Sequence, residues 1–154
     1  MLKKNFISEY LSTESLEKIS SSIGEIEKNT SGELRLCIKK RRGFLEKNLT
    51  PREIALKEFF KLKMDKTSDK TGVLFFIIFE EHKFEIIADE GLNTKISGEM
   101  WNTISNEIKI SFTKEDYLEG ILKALKRVGV TLISEFPVKP GDKNELSDDV
   151  ILKR

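Results

Sequence analysis

The sequence predicts an α/β fold, a three-layer sandwich in which a small mixed sheet carries helices on both faces, in the order αβαββαα. Three observations predict it. Every residue from Val73 to Phe79 is apolar, a run too short to span a membrane and without alternation, which marks a strand buried on both faces. Glu33–Lys39 alternates, and a helical stretch separates it from the buried run, so the two strands form a βαβ unit and run parallel with a right-handed crossover. Glu80-Glu-His-Lys83 is too short for a crossover, so the strand that follows must return antiparallel as a hairpin.

A chain of 154 residues suits one domain with a sizeable core. The expected division is a single α/β domain over 1–137 and an extended polar tail over 138–154. Lys and Arg number 27 against 26 Asp and Glu, a formal net charge of +1, which leaves no global field to draw in nucleic acid or an anionic membrane. One cysteine, Cys37, excludes an internal disulfide framework and a cysteine-clustered zinc site. The N-terminus has no apolar core of signal-peptide length, and no stretch approaches the roughly 18 apolar residues of a spanning helix. The expected setting is cytoplasmic, and the expected state a monomer.

The first helix falls within residues 12–30. Leu16, Ile19, Ile23 and Ile26 recur at spacings of three and four, Ser12 or Thr13 can cap the start, and Gly32 can close the end. In the next strand Leu34, Leu36 and Ile38 face one way and Glu33, Arg35, Cys37 and Lys39 the other, so one face is expected dry and the strand sits beside the central one. Thr50-Pro-Arg-Glu53 starts the second helix, with Thr50 as cap, Pro51 at the first position and Glu53 completing a capping box. The return strand places Phe84, Ile86 and Ala88 on one face and Glu85, Ile87 and Asp89 on the other. A helix beginning near Thr94 or Ser97 carries Trp101, Ile104, Ile108 and Phe112. Thr113-Lys-Glu-Asp116 resembles a capping box for the last helix, lined by Tyr117, Ile121, Leu125, Val128 and Leu132 and stopped by Pro137. In the tail Leu146, Val150, Ile151 and Leu152 are the available anchors.

Three features invite chemistry. Lys39-Lys-Arg-Arg42 reads as a phosphate or nucleic-acid contact or as a solvated strand end, and the second fits four charges with little aromatic interleaving. Cys37 reads as a structural thiol because no His or Asp adjoins it, and His82 as an exposed turn residue. Strand polarity supplies the third. The end of the return strand lies beside the start of the buried one, which gathers Asp89 and Glu90 with the Asp65…Asp69 loop and with Thr30-Ser31-Gly32, while Asp116 fits either end. Clustered carboxylates with loop carbonyls suit calcium or magnesium; the other reading is that Asp89 and Glu90 cap the next helix and stay solvated. Asp65, Asp69, Asp89 and Glu90 are the candidate metal ligands.

The order of motifs also carries a resemblance. Gly72-Val73-Leu74 opens the core strand, Gly91-Leu92 ends the hairpin, and Phe112…Asp116-Tyr117-Leu118-Glu119-Gly120 opens the last helix. With Thr30-Ser31-Gly32-Glu33 and Phe136-Pro137…Asn144-Glu145-Leu146, the chain resembles the short cytoplasmic bacterial members of the TPM-domain family, sometimes labelled TPM phosphatase, over roughly residues 6 to 150. The resemblance implies a Rossmann-like sandwich without a nucleotide fingerprint. Functions attributed to such relatives include acid phosphatase activity, photosystem repair, receptor modulation and divalent-metal binding. Asp89 and Glu115 stand where the family tends to keep glycine. No phosphoaspartate motif, Cys-x5-Arg loop or histidine pair occurs in the sequence. The function expected is therefore a small accessory module that acts through protein contacts, with a divalent cation at the acidic rim. The alternative is a weak metal-assisted phosphomonoesterase.

Overall fold

The computed structural model describes residues 5–139 and 150–153. The sheet has four strands in the order β3-β2-β1-β4, formed by β1 (Glu33–Lys39), β2 (Gly72–Ile78), β3 (Lys83–Ala88) and β4 (Ile151–Lys153). β1 runs parallel to β2, with Glu33 opposite Gly72 and Lys39 opposite Ile78. β3 returns antiparallel, with Val73 opposite Ala88 and Ile78 opposite Lys83. The predicted mixed sheet and its polarity are therefore present.

The helices are α1 (Thr13–Glu27), α2 (Pro51–Lys61), α3 (Glu90–Asn93), α4 (Gly98–Thr113) and α5 (Tyr117–Glu135). One core joins Leu34, Leu36, Ile38, Val73, Phe75 and Ile77 of the sheet to α1, α4 and α5. A second joins Cys37, Leu74, Phe76, Ile78 and Ile87 to Ile54, Ala55 and Phe59 of α2. These two cores are the interfaces of a three-layer sandwich.

Local chemistry explains the boundaries. Ser12 caps α1, its hydroxyl accepting from the Ser15 N–H. Thr50 and Glu53 form the expected box at α2, with Pro51 first. β2 is buried throughout, but Phe79 leaves the ladder for a single 3-10 turn, Phe79–Glu81, closed by His82 at φ 52. The Phe79 ring stacks on Tyr10 with centroids 4.4 Å apart and meets Tyr117 edge-on at 5.3 Å. That contact puts Asp116, next to Tyr117, at the His82 end of the sheet, away from Asp89.

Four expectations need correction. β1 does not have one dry face: Glu33, Cys37 and Lys39 are buried as well, because α2 covers their side of the sheet and β4 extends it beyond β1. Thr113 does not cap α5. It is the last residue of α4, its hydroxyl donates back to the Lys109 carbonyl, and Asp116 precedes α5 without a side-chain capping bond. The return strand stops at Ala88, and Glu90–Asn93 is a short helix. Ile151–Lys153, expected in an extended polar tail outside the domain with Ile151 and Leu152 as anchors, joins the sheet and pairs parallel with β1 as a fourth strand; Asn144, Glu145 and Leu146 lie outside the described residues.

Candidate functional site

The acidic rim forms where β3 ends and β2 begins. The Asp89 N–H donates to the Gly72 carbonyl at 2.9 Å, extending the ladder by one residue. Asp89 then caps α3, its Oδ1 accepting from the Glu90 N–H at 2.8 Å. Gly91 presses on the loop before β2: a Cβ there would lie 2.2 Å from the Asp69 carbonyl oxygen and 2.6 Å from that of Lys70. Only glycine permits this approach without a backbone shift. Strand polarity thus does bring 89–91 against the 65–70 loop.

The four carboxylates do not converge. Asp69 pairs with Lys139 at 2.7 Å and Asp65 with Lys66 at 3.6 Å, while Glu90 is exposed. Asp89 Oδ2 is buried and has no hydrogen-bond partner among the described residues. No group of three or more His, Cys, Asp or Glu able to hold a metal ion occurs among the described residues. One orphaned oxygen beside lysine-paired acids is not the oxygen set that calcium or magnesium takes, so the placed side chains do not fit a ready-made cation centre.

The other sequence candidates resolve differently. Each cation of the basic run has an acidic partner: Lys39 with Glu46, Lys40 with Glu9, Arg41 with Glu80 and Arg42 with Glu81. These pairs tie the run to the segment before α1 and to the Phe79–Glu81 turn, as a solvated strand end held by ion pairs. Burial pushes the Cys37 thiol up to about 12, with Glu58 adding to the rise, so it stays protonated and unreactive. His82 is exposed at the far end of the sheet.

A second feature was not read from the sequence. β3 is an edge strand. In an antiparallel ladder alternate residues bond to the neighbour, and the Asp89–Gly72 bond sets the phase. The backbone groups of Glu85 and Ile87 therefore face β2, and those of Phe84, Ile86 and Ala88 face outward. A groove of about 280 Å³ follows this edge, walled on one side by Arg52 and on the other by Asn93, Trp101 and Ser105. The Trp101 indole N–H donates to Asn93 Oδ1 at 3.1 Å. Arg52 reaches both Glu85 Oε2 and the outward Ile86 carbonyl at 3.3 Å. The sequence signal was available in the short return strand at the end of the strand order, but the other edge belongs to β4, which pattern alone did not place.

A family model for the TPM domain matches residues 7–131. The chain belongs to the TPM-domain family. This TPM domain is similar to the BA42 protein of the psychrophilic bacterium Bizionia argentinensis, solved by NMR. The two share 31% identity over 96% of this chain and 98% of that one, with a TM-score of 0.83. It also resembles in fold the N-terminal domain of the cg2496 protein of Corynebacterium glutamicum, at 10% identity over 86% of each chain and a TM-score of 0.60. No curated protein matches. Among the described residues no helix is long and apolar enough to cross a membrane.

Proposed function

We propose that this TPM domain is a small soluble binding module that acts through protein contacts, taking an extended segment of a partner chain along the edge of β3. The observation that carries the reading is the outward backbone of Phe84, Ile86 and Ala88 beside a groove with polar groups on both walls. An added strand would satisfy those donors and acceptors, and the walls would select its alternating side chains. Arg52 lies over the Ile86 carbonyl, but its side chain is 64% exposed, and such contacts yield readily. In this reading the domain is a cytoplasmic monomer until the segment arrives.

The test is a photo-reactive residue at Ser105, on the groove wall, in cells that make the protein. The reading expects a discrete adduct with one polypeptide that disappears in Ile86→Pro. Proline there removes an outward N–H and spares the ladder to β2. Adducts that survive the proline, or that form equally from a probe at Lys126 on α5, would refute it.

A second reading adds calcium or magnesium at the acidic rim, favoured by the orphaned Asp89 Oδ2. It requires Asp65 and Asp69 to leave their lysines. Titration with each cation should then shift the amides of Asp89 and of the 65–70 loop, and Asp89→Ala should abolish those shifts. Shifts spread over the whole surface would rule the site out. Phosphomonoester hydrolysis gains no comparable support: the sole thiol is buried and His82 lies at the opposite end of the sheet.

A further inference from the structure

The loop between β1 and α2 is held at many points, yet it displays apolar side chains. Arg42 donates through Nη1 to the carbonyls of Glu46, Lys47 and Leu49 at 2.9, 3.1 and 2.7 Å. Its Nε and Nη2 bind Glu81 at 2.7 and 2.9 Å. Glu46 accepts from the Gly43 N–H and from Lys39. On this frame the 3-10 turn Phe44–Glu46 holds Phe44 and Leu45 outward, 87% and 90% exposed. Two adjacent large apolar side chains fixed in water carry an unfavourable hydration free energy unless something covers them. On α2, Leu56 and Phe60 lie one turn apart and are exposed too.

Charge is concentrated on the same layer. Residues 40–63 hold eight Lys or Arg against three Glu, a surplus of five in a chain of formal net charge +1. The near neutrality of the whole is the average of a basic segment and an acidic remainder. Lys40, Arg41, Arg42 and Arg52 are paired with acids from elsewhere. Lys47, Lys57, Lys61 and Lys63 are exposed and form no ion pair among the described residues. Of the three acids, Glu46 holds Lys39 and Glu58 is buried, so only the exposed Glu53, turned back to the Thr50 N–H, offsets them at the surface. Lys57 is near enough to Glu46 to favour its ionised form, so the loop and the outer side of α2 adjoin.

We infer that this face docks on an anionic lipid surface. Phe44 and Leu45 enter the head-group layer, and Lys47, Lys57 and Lys61 face the lipid phosphates. A convex apolar tip flanked by lysines suits a deformable anionic interface, whereas a protein would need a cleft of matching shape. This surface does not use the open backbone of β3, so it stands or falls apart from the strand-addition reading.

The experiment is co-sedimentation of the full chain with vesicles of phosphatidylcholine containing phosphatidylglycerol, against phosphatidylcholine alone. Binding is expected only to the anionic vesicles and should weaken with salt. Phe44→Ser with Leu45→Ser should weaken it by about tenfold or more, and Lys57→Glu with Lys61→Glu likewise. Lys18→Glu with Lys109→Glu, the same change in charge on other helices, should leave it intact. Matching melting curves would confirm that each variant folds. Failure to bind anionic vesicles, equal loss in the control pair, or full binding by the serine variant overturns the inference. Capture of a protein by a photo-reactive residue at position 44, with no vesicle binding, also overturns it.

Discussion

Gly91→Ala probes the assembly of the rim. In most helical positions this exchange stabilises, by up to about 1 kcal/mol, because alanine has less backbone freedom to lose. Here the new methyl would sit 2.2 Å from the Asp69 carbonyl oxygen and 2.6 Å from that of Lys70. Both obstacles are backbone atoms, which cannot rotate aside, so the 65–70 loop or α3 must move. Overpacking of this kind costs about 1–3 kcal/mol, enough to reverse the helical gain. For a chain of this size a net loss of about 1–2 kcal/mol lowers Tm by roughly 2–8 °C, readable by thermal or urea denaturation. Gly98→Ala is the control: a Cβ there meets nothing within 4 Å, so it should be neutral or slightly stabilising. If Gly91→Ala is as stable as the parent, the 65–70 loop does not lie against α3 and the rim is not built as described.

Other outcomes follow from particular contacts. Glu115 adopts φ 62, left-handed backbone that costs a non-glycine residue about 1–2 kcal/mol, so Glu115→Gly should stabilise by about 0.5–1 kcal/mol in urea denaturation. Phe79→Ala removes a ring that is 1% exposed and stacked on Tyr10; a loss of about 3–5 kcal/mol, with a weakened near-ultraviolet signal from the tyrosines, is expected. Arg42 holds the Glu81 carboxyl below its usual range. For Glu46, burial pushes upward but is outweighed by Lys39 and the Gly43 N–H. Both folded values lie below the unfolded one, so their contribution is present above about pH 4.5 and is lost as pH falls through the folded values. The Gly43 amide and Arg42 Nε–H resonances should broaden or move in that acid window and not at neutral pH. Cys37 should react with a thiol reagent far more slowly in the folded chain than in denaturant at mildly alkaline pH, because burial holds its pKa at about 12.

Much of the fold was legible because single patterns decided it. The apolar run at Val73, the box at Thr50 and the short hairpin link each have one common structural solution, and strand polarity then located Asp89 beside the 65–70 loop. Cys37 and Lys39 were misread as facing water because alternation cannot reveal a helix that returns over the second face. Thr113 was misread because a threonine hydroxyl serves the carbonyl of the preceding turn as readily as a following N–H. Ile151–Lys153 is too short to carry a period and pairs only because β1 offers a free edge. Among candidate sites, the acids were located, but their lysine partners, Lys139 at Asp69 and Lys66 at Asp65, differ in kind: one is adjacent in sequence and one distant. The β3 groove needed the strand order, which no local pattern contains.

The central claim, that β3 presents an open backbone edge, is tested most directly by amide hydrogen exchange in the free protein, resolved residue by residue by NMR. The ladder to β2 predicts slow exchange at Glu85, Ile87 and Asp89 and fast exchange at Phe84, Ile86 and Ala88. Uniform protection along 83–89, or the opposite alternation, would mean that the edge is covered or the register shifted, and strand addition at β3 would be contradicted.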